Sequence, residues 1–294
     1  MKFCDYIIEN NLGIIETNRS FQELTTIGCG GKIDYLYKPN SVESLASAFS
    51  YIVEHSLKYF ILGNGSNVLA QDDTFHGIVI SLKSLPYQYQ IKDDILTCSA
   101  FYPTMELAYD LAKDEIGDLS FLGGIPGLLG GAIYNNSGAY KKELKDCLID
   151  VTYINTAGKI MTITNRQCAF GYRYSLFHVM NGIIISARIK VQKMKTLDLL
   201  KQRNSERRLA QPLECKSMGS IFKNNQLISA WKVVDALGMR GFHINDAAIS
   251  AKHANFIINL GKAKSNDILS LIRLIQTRAE LEFGIRLVCE ISTV

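Results

Sequence analysis

Residues 121–140 read FLGGIPGLLGGAIYNNSGAY, six glycines in twenty positions of an otherwise apolar run. Glycine in an ordinary helix or strand costs about 0.5–1 kcal/mol against alanine, so its repeated use points to positive φ or to close approach of something to bare backbone. Two more glycine clusters precede this one, GCGG at 28–31 and GNGSN at 63–67. The second lies between YFIL (59–62) and GIVISL (77–82), which read as a strand, a tight turn and another strand.

Upstream, NSVESLASAFSYIVEHS (40–56) sets Val42, Leu45, Ala46, Phe49, Ile52 and Val53 at helical spacing. Asn40 and Glu43 suit its N-cap and N3 positions. Downstream, the pattern predicts a helix from about Pro103 to Lys113 and a hairpin over LIDVTYINTAGKIMTIT (148–164) turning at Ala157 and Gly158. A further strand, GIIISARIKV, follows at 182–191. The basic, polar run at 190–209 then reads as an interdomain helix and linker. The last third alternates helix (227–238), strand (253–261), helix (265–284, ended by Gly284) and strand (285–291). This divides the chain into residues 1–85, 86–197 and 198–294, the last a compact α+β domain whose final strand could return to the first part.

With 294 residues, 47% of them hydrophobic and 20% charged, the composition is that of a packed globular protein. No apolar run reaches the roughly 20 residues that span a bilayer, so a cytoplasmic protein without membrane association is expected. The seven cysteines are scattered, with no C-x-x-C pair and no histidine at zinc-ligand spacing, which predicts free thiols and no metal site. A net charge of +4 is mild and suits an anionic small molecule, a nucleic acid or no charged partner equally.

Neither G-x-G-x-x-G nor a Gly-Lys-Ser/Thr loop is present, because Gly63-x-Gly65 is followed by Val68. What remains is the nest, in which successive N–H groups of a tight turn form a concavity for phosphate oxygens. Three such clusters together suggest one long phosphate-bearing ligand such as a dinucleotide.

Five stretches then carry a resemblance: LGNGSNVLAQD (62–72), GGIPGLLGGAIYNNSGAY (123–140), FGYRYSLF (170–177), GSIFKN (219–224) and GIRLVCEI (284–291). In this order they resemble the motifs of the UDP-N-acetylenolpyruvoylglucosamine reductase family, the FAD enzymes that make UDP-N-acetylmuramate for peptidoglycan. The resemblance covers nearly the whole chain from about Asn18, and the short C-terminal part is similar to the family's second, shorter branch. It implies an α+β protein: a two-part FAD-binding fold of the vanillyl-alcohol-oxidase type plus a C-terminal substrate-binding domain. It also implies FAD and NADPH as cofactors and a small-molecule substrate, with no nucleic acid and no obligate protein partner.

By the same resemblance, Gly63, Asn64, Gly65, Ser66 and Asn67 form the pyrophosphate loop. Gly124, Ile125, Pro126, Gly127, Gly130 and Gly131, with Asn136 beyond them, form the second flavin-contacting segment. Arg173 is matched to the residue that binds the substrate carboxylate, Ser220 to the proton donor to C2, and Glu290 to a hydrogen-bonding acid. Tyr172, Lys223 and Asn224 are matched to substrate contacts. Glu290 also stands out on its own, since an isolated carboxylate in an apolar strand is costly unless paired or protonated, and burial raises its pKa. His253 and Asn255 also match a family segment, and packing with local hydrogen bonds is their expected part. The chain departs from the family pattern at Gly28, where a cation is usual, at Lys141 and Lys142, and at Asn225.

Overall fold

The computed structural model describes residues 2–225 and 227–294. The chain divides into two compact units, each gathered from separate stretches. The first comprises Met1–Thr17, Tyr35–Asn64 and Gly77–Asn204, and the second Asn18–Asp34, Gly65–His76 and Ser205–Val294.

In the first unit the strand Tyr59–Leu62 runs parallel to Phe75–Ser81, and Gly13–Glu16 pairs antiparallel with the end of Lys32–Pro39. The helix Val42–Glu54 connects Lys32–Pro39 to Tyr59–Leu62, and Phe75–Ser81 lies between those two strands in the sheet. Its buried face holds Leu45, Ala48, Phe49 and Ile52. Full burial stabilises by about 1.5–3 kcal/mol for each of the large side chains among them. Its N-cap is Ser41, whose hydroxyl accepts from the N–H of Ser44, so the cap falls one residue later than the sequence pattern suggested. Asn40 instead accepts from the Ser44 hydroxyl.

An antiparallel sheet completes this unit, in the order Ile160–Thr164, Leu148–Asn155, Gly182–Lys190, Ile95–Ser99, Tyr89–Lys92. The hairpin turning at 157–158 is in place, with Ile154 opposite Ile160. The helix Thr104–Lys113 and the short helix Leu129–Tyr134 share the core of this sheet through Leu107, Leu111, Leu129 and Ile133.

The second unit is built on a four-stranded antiparallel sheet, ordered Lys216–Ser220, Phe256–Asn259, Ala247–Ile249, His243–Ile244. The helices Ala230–Ala236 and Ser265–Phe283 bury Val233, Val234, Ile268, Leu271, Ile272 and Ile275 in its core. Gly284 ends the long helix at φ +64, the left-handed stop that the sequence predicts. The expected strand over 285–291 does not form. That stretch makes one isolated bridge, Cys289 to Phe222, because it meets residues 221–223 just past the end of Lys216–Ser220 rather than the strand itself. Regular pairing resumes only at Ser292–Thr293, parallel to Val68–Leu69.

Candidate active site

Each unit carries part of the set of residues singled out above. In the first unit, the glycine-rich stretch folds against the segment 100–104. The N–H of Leu129 donates to the Tyr102 carbonyl and that of Gly130 to the Ala100 carbonyl, while Thr104 bonds through N–H and hydroxyl to the carbonyl of Gly127. The glycines then separate by what surrounds them. A Cβ on Gly123 would strike Leu200 at 2.2 Å, and one on Gly130 would press on Ala100 at 3.2 Å, so protein packing alone explains both. A Cβ on Gly131 would meet nothing within 4 Å, and this residue is exposed. Gly63 is nearly as open, its hypothetical Cβ touching only Leu128 at 3.6 Å and beyond. Gly124, Ile125 and Gly127 are half-buried, and Pro126 is exposed.

Beyond them, Asn136 is fully buried at φ +44. Its amide donates to the Gly171 carbonyl (2.8 Å) and to Glu143 (3.1 Å), and its oxygen accepts from the N–H of Lys145. The hydroxyl of Ser175 donates to the Tyr134 carbonyl (2.7 Å), a second tie between the same two segments.

Those ties fix the turn that carries Arg173. Gly171 and Tyr174 exchange both backbone hydrogen bonds around Tyr172 and Arg173. Arg173 sits at φ +53, left-handed for a side chain that rarely adopts it, at the turn position where positive φ is required in a type II turn. Its guanidinium donates to the Gly138 carbonyl at 3.0 Å and lies 3.7 Å from Glu143. Tyr172 is exposed beneath it, the guanidinium carbon 4.9 Å from the ring centre. Sequence reasoning passed over Glu143. A glutamate seven residues after an asparagine is no cue that the sequence alone could single out.

In the second unit, Ser220 closes the strand Lys216–Ser220 after an irregularity in its ladder with Phe256–Asn259. Gly219 adopts φ +77 in that irregularity. A bulge of this kind re-aims the side chain that follows it. Asn255 clamps the next residues, accepting from the Phe222 N–H, donating to the Phe222 carbonyl, and offering its own carbonyl to Ile221. Asn255 has the expected local hydrogen bond, its N–H donating to His253 Nδ1, while its side chain makes a long-range clamp that packing and local bonding did not anticipate.

The extended stretch 288–290 lies on the other side, with the Lys223 N–H donating to the Val288 carbonyl and the Glu290 N–H to the Ile221 carbonyl, each at 2.8 Å. Glu290 is half-buried within one residue of Ser220 in this pairing. The side chain of Asn67 donates to the Glu290 carbonyl, and its own carbonyl accepts from Ser292. Asn224 caps the helix Ala230–Ala236 by accepting from the Ala230 N–H, and Asn225 accepts from Leu227 and Ile228. Lys223 is half-buried.

Gly65 adopts φ +67, and a Cβ there would lie 2.3 Å from the Leu24 carbonyl, so only glycine fits. Ser66 and Asn67 continue the turn and are half-buried.

Comparison with known proteins defines the class first. An FAD-binding domain family matches residues 33–164, and the solved structure of berberine bridge enzyme from Eschscholzia californica superposes with a TM-score of 0.50 at 15% identity, over 65% of this chain and 43% of its own. The chain thus has an α+β architecture with a flavin-binding fold of the vanillyl-alcohol-oxidase type, followed by a C-terminal α+β domain.

The family model of the C-terminal domain of UDP-N-acetylenolpyruvoylglucosamine reductase matches residues 211–294. Proteins of that name from Clostridioides difficile and Carboxydothermus hydrogenoformans are 34% and 35% identical, over 95% and 94% of this chain and 92% of each of theirs. The crystal structure of the Thermus caldophilus reductase superposes with a TM-score of 0.80 at 30% identity, covering 95% of this chain and 99% of its own. The chain belongs to the UDP-N-acetylenolpyruvoylglucosamine reductase family.

Taken by itself, the first unit leaves backbone open at Gly131 and nearly so at Gly63, as close approach of a cofactor requires. The second unit has at Gly65 the positive φ of a turn that can cup a phosphate. Among the described residues no acidic cluster able to hold a metal ion occurs, and no helix is long and apolar enough to cross a membrane.

Proposed function

We propose that this protein reduces UDP-N-acetylenolpyruvoylglucosamine to UDP-N-acetylmuramate, using FAD as bound cofactor and NADPH as reductant, in the cytoplasmic supply of peptidoglycan precursors. The observation that carries the reading is the pairing of the Ser220–Asn224 motif with the segment bearing Glu290, through the Glu290 N–H and the Ile221 carbonyl. It brings a hydroxyl and a carboxyl group, each contributed by a different motif, onto adjacent positions of one unit.

Bound FAD would supply the two-electron chemistry, relaying hydride from NADPH through N5 to C3 of the enolpyruvyl group. Negative charge then develops toward the substrate carboxylate. In this reading Arg173 binds that carboxylate with its fork of donors and stabilises the charge, its own aim set by Gly138 and Glu143. Ser220 delivers the proton to C2. A serine hydroxyl is a weak acid, so it serves only a strongly basic carbon and draws its replacement proton from a neighbour or water. Glu290 acts as a hydrogen-bonding acid toward the carboxylate. Tyr172, Lys223 and Asn224 contact the anionic sugar nucleotide.

Gly63, Asn64, Gly65, Ser66 and Asn67 hold the FAD diphosphate. Gly124, Ile125, Pro126, Gly127, Gly130 and Gly131 border the flavin, with Asn136 behind them.

The test is an anaerobic absorbance titration. NADPH should bleach the visible flavin band, and UDP-N-acetylenolpyruvoylglucosamine should restore it. A flavin that bleaches but ignores this substrate would point to another oxidoreductase of the same fold, and a protein without flavin would remove the basis of the reading.

A further inference from the structure

The departure at Gly28 has a neighbour that the sequence did not reveal. Gly28 adopts φ +68, and a Cβ built on it would lie 2.9 Å from Cδ and 3.4 Å from Nζ of Lys216. The end of the Lys216 side chain therefore occupies the space that a side chain at position 28 would enter.

Lys216 is exposed and has no ion-pair partner among the described residues. The acid two residues before it, Glu214, bonds Lys252 instead.

The backbone beneath this ammonium is pinned to the phosphate-nest turn. Thr26 donates its N–H to the Gly65 carbonyl at 3.1 Å and its hydroxyl to the Ser217 carbonyl at 2.6 Å, so one residue joins the Gly65 turn to the strand of Lys216. Asn259, which pairs with Lys216 across the sheet, donates its amide to the carbonyls of Ile27 and Gly28. Loop 26–28, the start of strand Lys216–Ser220 and Gly65 thus form one hydrogen-bonded cluster, and the cluster presents a single uncompensated cation.

The geometry points to Lys216 as a diphosphate-contacting residue of the Gly65–Asn67 turn, its ammonium adding a point charge to the neutral N–H groups of the nest. The inference rests on the flavin reading above and commits to the diphosphate of FAD. The diphosphate of the sugar nucleotide shares the same chemistry and is separated by the test. A lysine suits the task because its charge is compact and its stem flexible enough to settle on a phosphate as that group arrives.

The experiment uses the purified holoenzyme and measures FAD release by the rise of flavin fluorescence on dilution, at 0.05 M and 0.5 M salt. Lys216→Met keeps the aliphatic stem over Gly28 and removes the charge. It should release FAD about tenfold faster at low salt, with the difference shrinking at high salt as screening weakens the attraction that the parent's ammonium supplies. Lys216→Arg should stay within about twofold of the parent.

Unchanged release in Lys216→Met, or equal acceleration at both salt concentrations, would overturn the assignment. So would unchanged FAD release accompanied by weaker binding of UDP-N-acetylglucosamine in a calorimetric titration, which would give the ammonium to the other diphosphate. A parent protein that holds no flavin would overturn the flavin reading and this inference together, whereas a flavin-bearing parent with an indifferent Lys216→Met variant overturns this inference alone.

Discussion

The side-chain amide of Asn136 donates to the main-chain carbonyl of Gly171 across 2.8 Å, joining the end of the glycine-rich segment to the turn that presents Arg173. A second hydrogen of the same amide goes to Glu143, which in turn faces the Arg173 guanidinium. The orientation of the arginine is thus held through its backbone at Gly171 and through its side chain at Gly138 and Glu143.

Asn136→Asp should test this linkage. The substitution removes both donors and sets a carboxylate against Glu143 and a carbonyl in a fully buried site, at a cost of about 3 kcal/mol. Urea denaturation should register the loss as a lower midpoint with an unchanged slope. A midpoint equal to that of the parent would mean the amide is not the tie described.

Ser220→Ala should leave reduction of the flavin by NADPH within about twofold of the parent and slow its reoxidation by the enolpyruvyl substrate by roughly 10²–10⁴. Stopped-flow absorbance separates the two half-reactions. Equal loss in both would contradict the proton-donor assignment.

For Glu290→Gln the same pattern is expected, because the amide keeps the shape but cannot give up a proton. Parent-like reoxidation in this variant would exclude an essential acid at position 290.

Gly65→Val should weaken flavin retention. The new Cβ meets the Leu24 carbonyl at 2.3 Å, and a β-branched residue is strained at φ +67. Flavin content after gel filtration is the measurement, and an undiminished ratio of flavin to protein would remove the loop from the binding surface.

Stability should also fall on the alkaline side. Burial pushes the thiols of Cys98 and Cys147 up to about 12, and that of Cys168 up to about 11, from an ordinary 9.0. The fold keeps these thiols protonated, so their contribution is whole below about pH 9 and is lost as pH rises from there toward 11–12. Urea midpoints measured between pH 8 and 10.5 should decline above pH 9, and Cys98→Ala should flatten part of that decline even though the variant starts from lower stability.

Local patterns were legible in the sequence where a period or a stop residue acts within one segment. The face of Val42–Glu54, the turn at 157–158 and the Gly284 stop all belong to that group. The strand expected over 285–291 failed for a non-local reason: its apolar alternation is genuine, but what it meets is the short stretch 221–223 past the end of Lys216–Ser220, which supports a single bridge. The site shows the same division. Gly65, Arg173 and Ser220 lie in motifs that could be read directly, while Lys216 over Gly28 and Glu143 under Arg173 are relations in space between stretches that no spacing rule connects. Grouping of residues 18–34 and 65–76 with 205–294 is equally invisible to a linear division of the chain.

The parallel pairing of Ser292–Thr293 with Val68–Leu69 has a consequence for biosynthesis. Asn67 leaves the ribosome 223 residues ahead of Glu290, so the hydrogen bonds that it exchanges with Glu290 and Ser292 wait for that later segment. The first unit contains no residue beyond 204 and can collapse during synthesis. The turn at Gly65–Asn67 therefore gains its full set of hydrogen bonds only once residues 290–293 have been made, and a chain that stops short of them leaves Val68–Leu69 without its parallel partner.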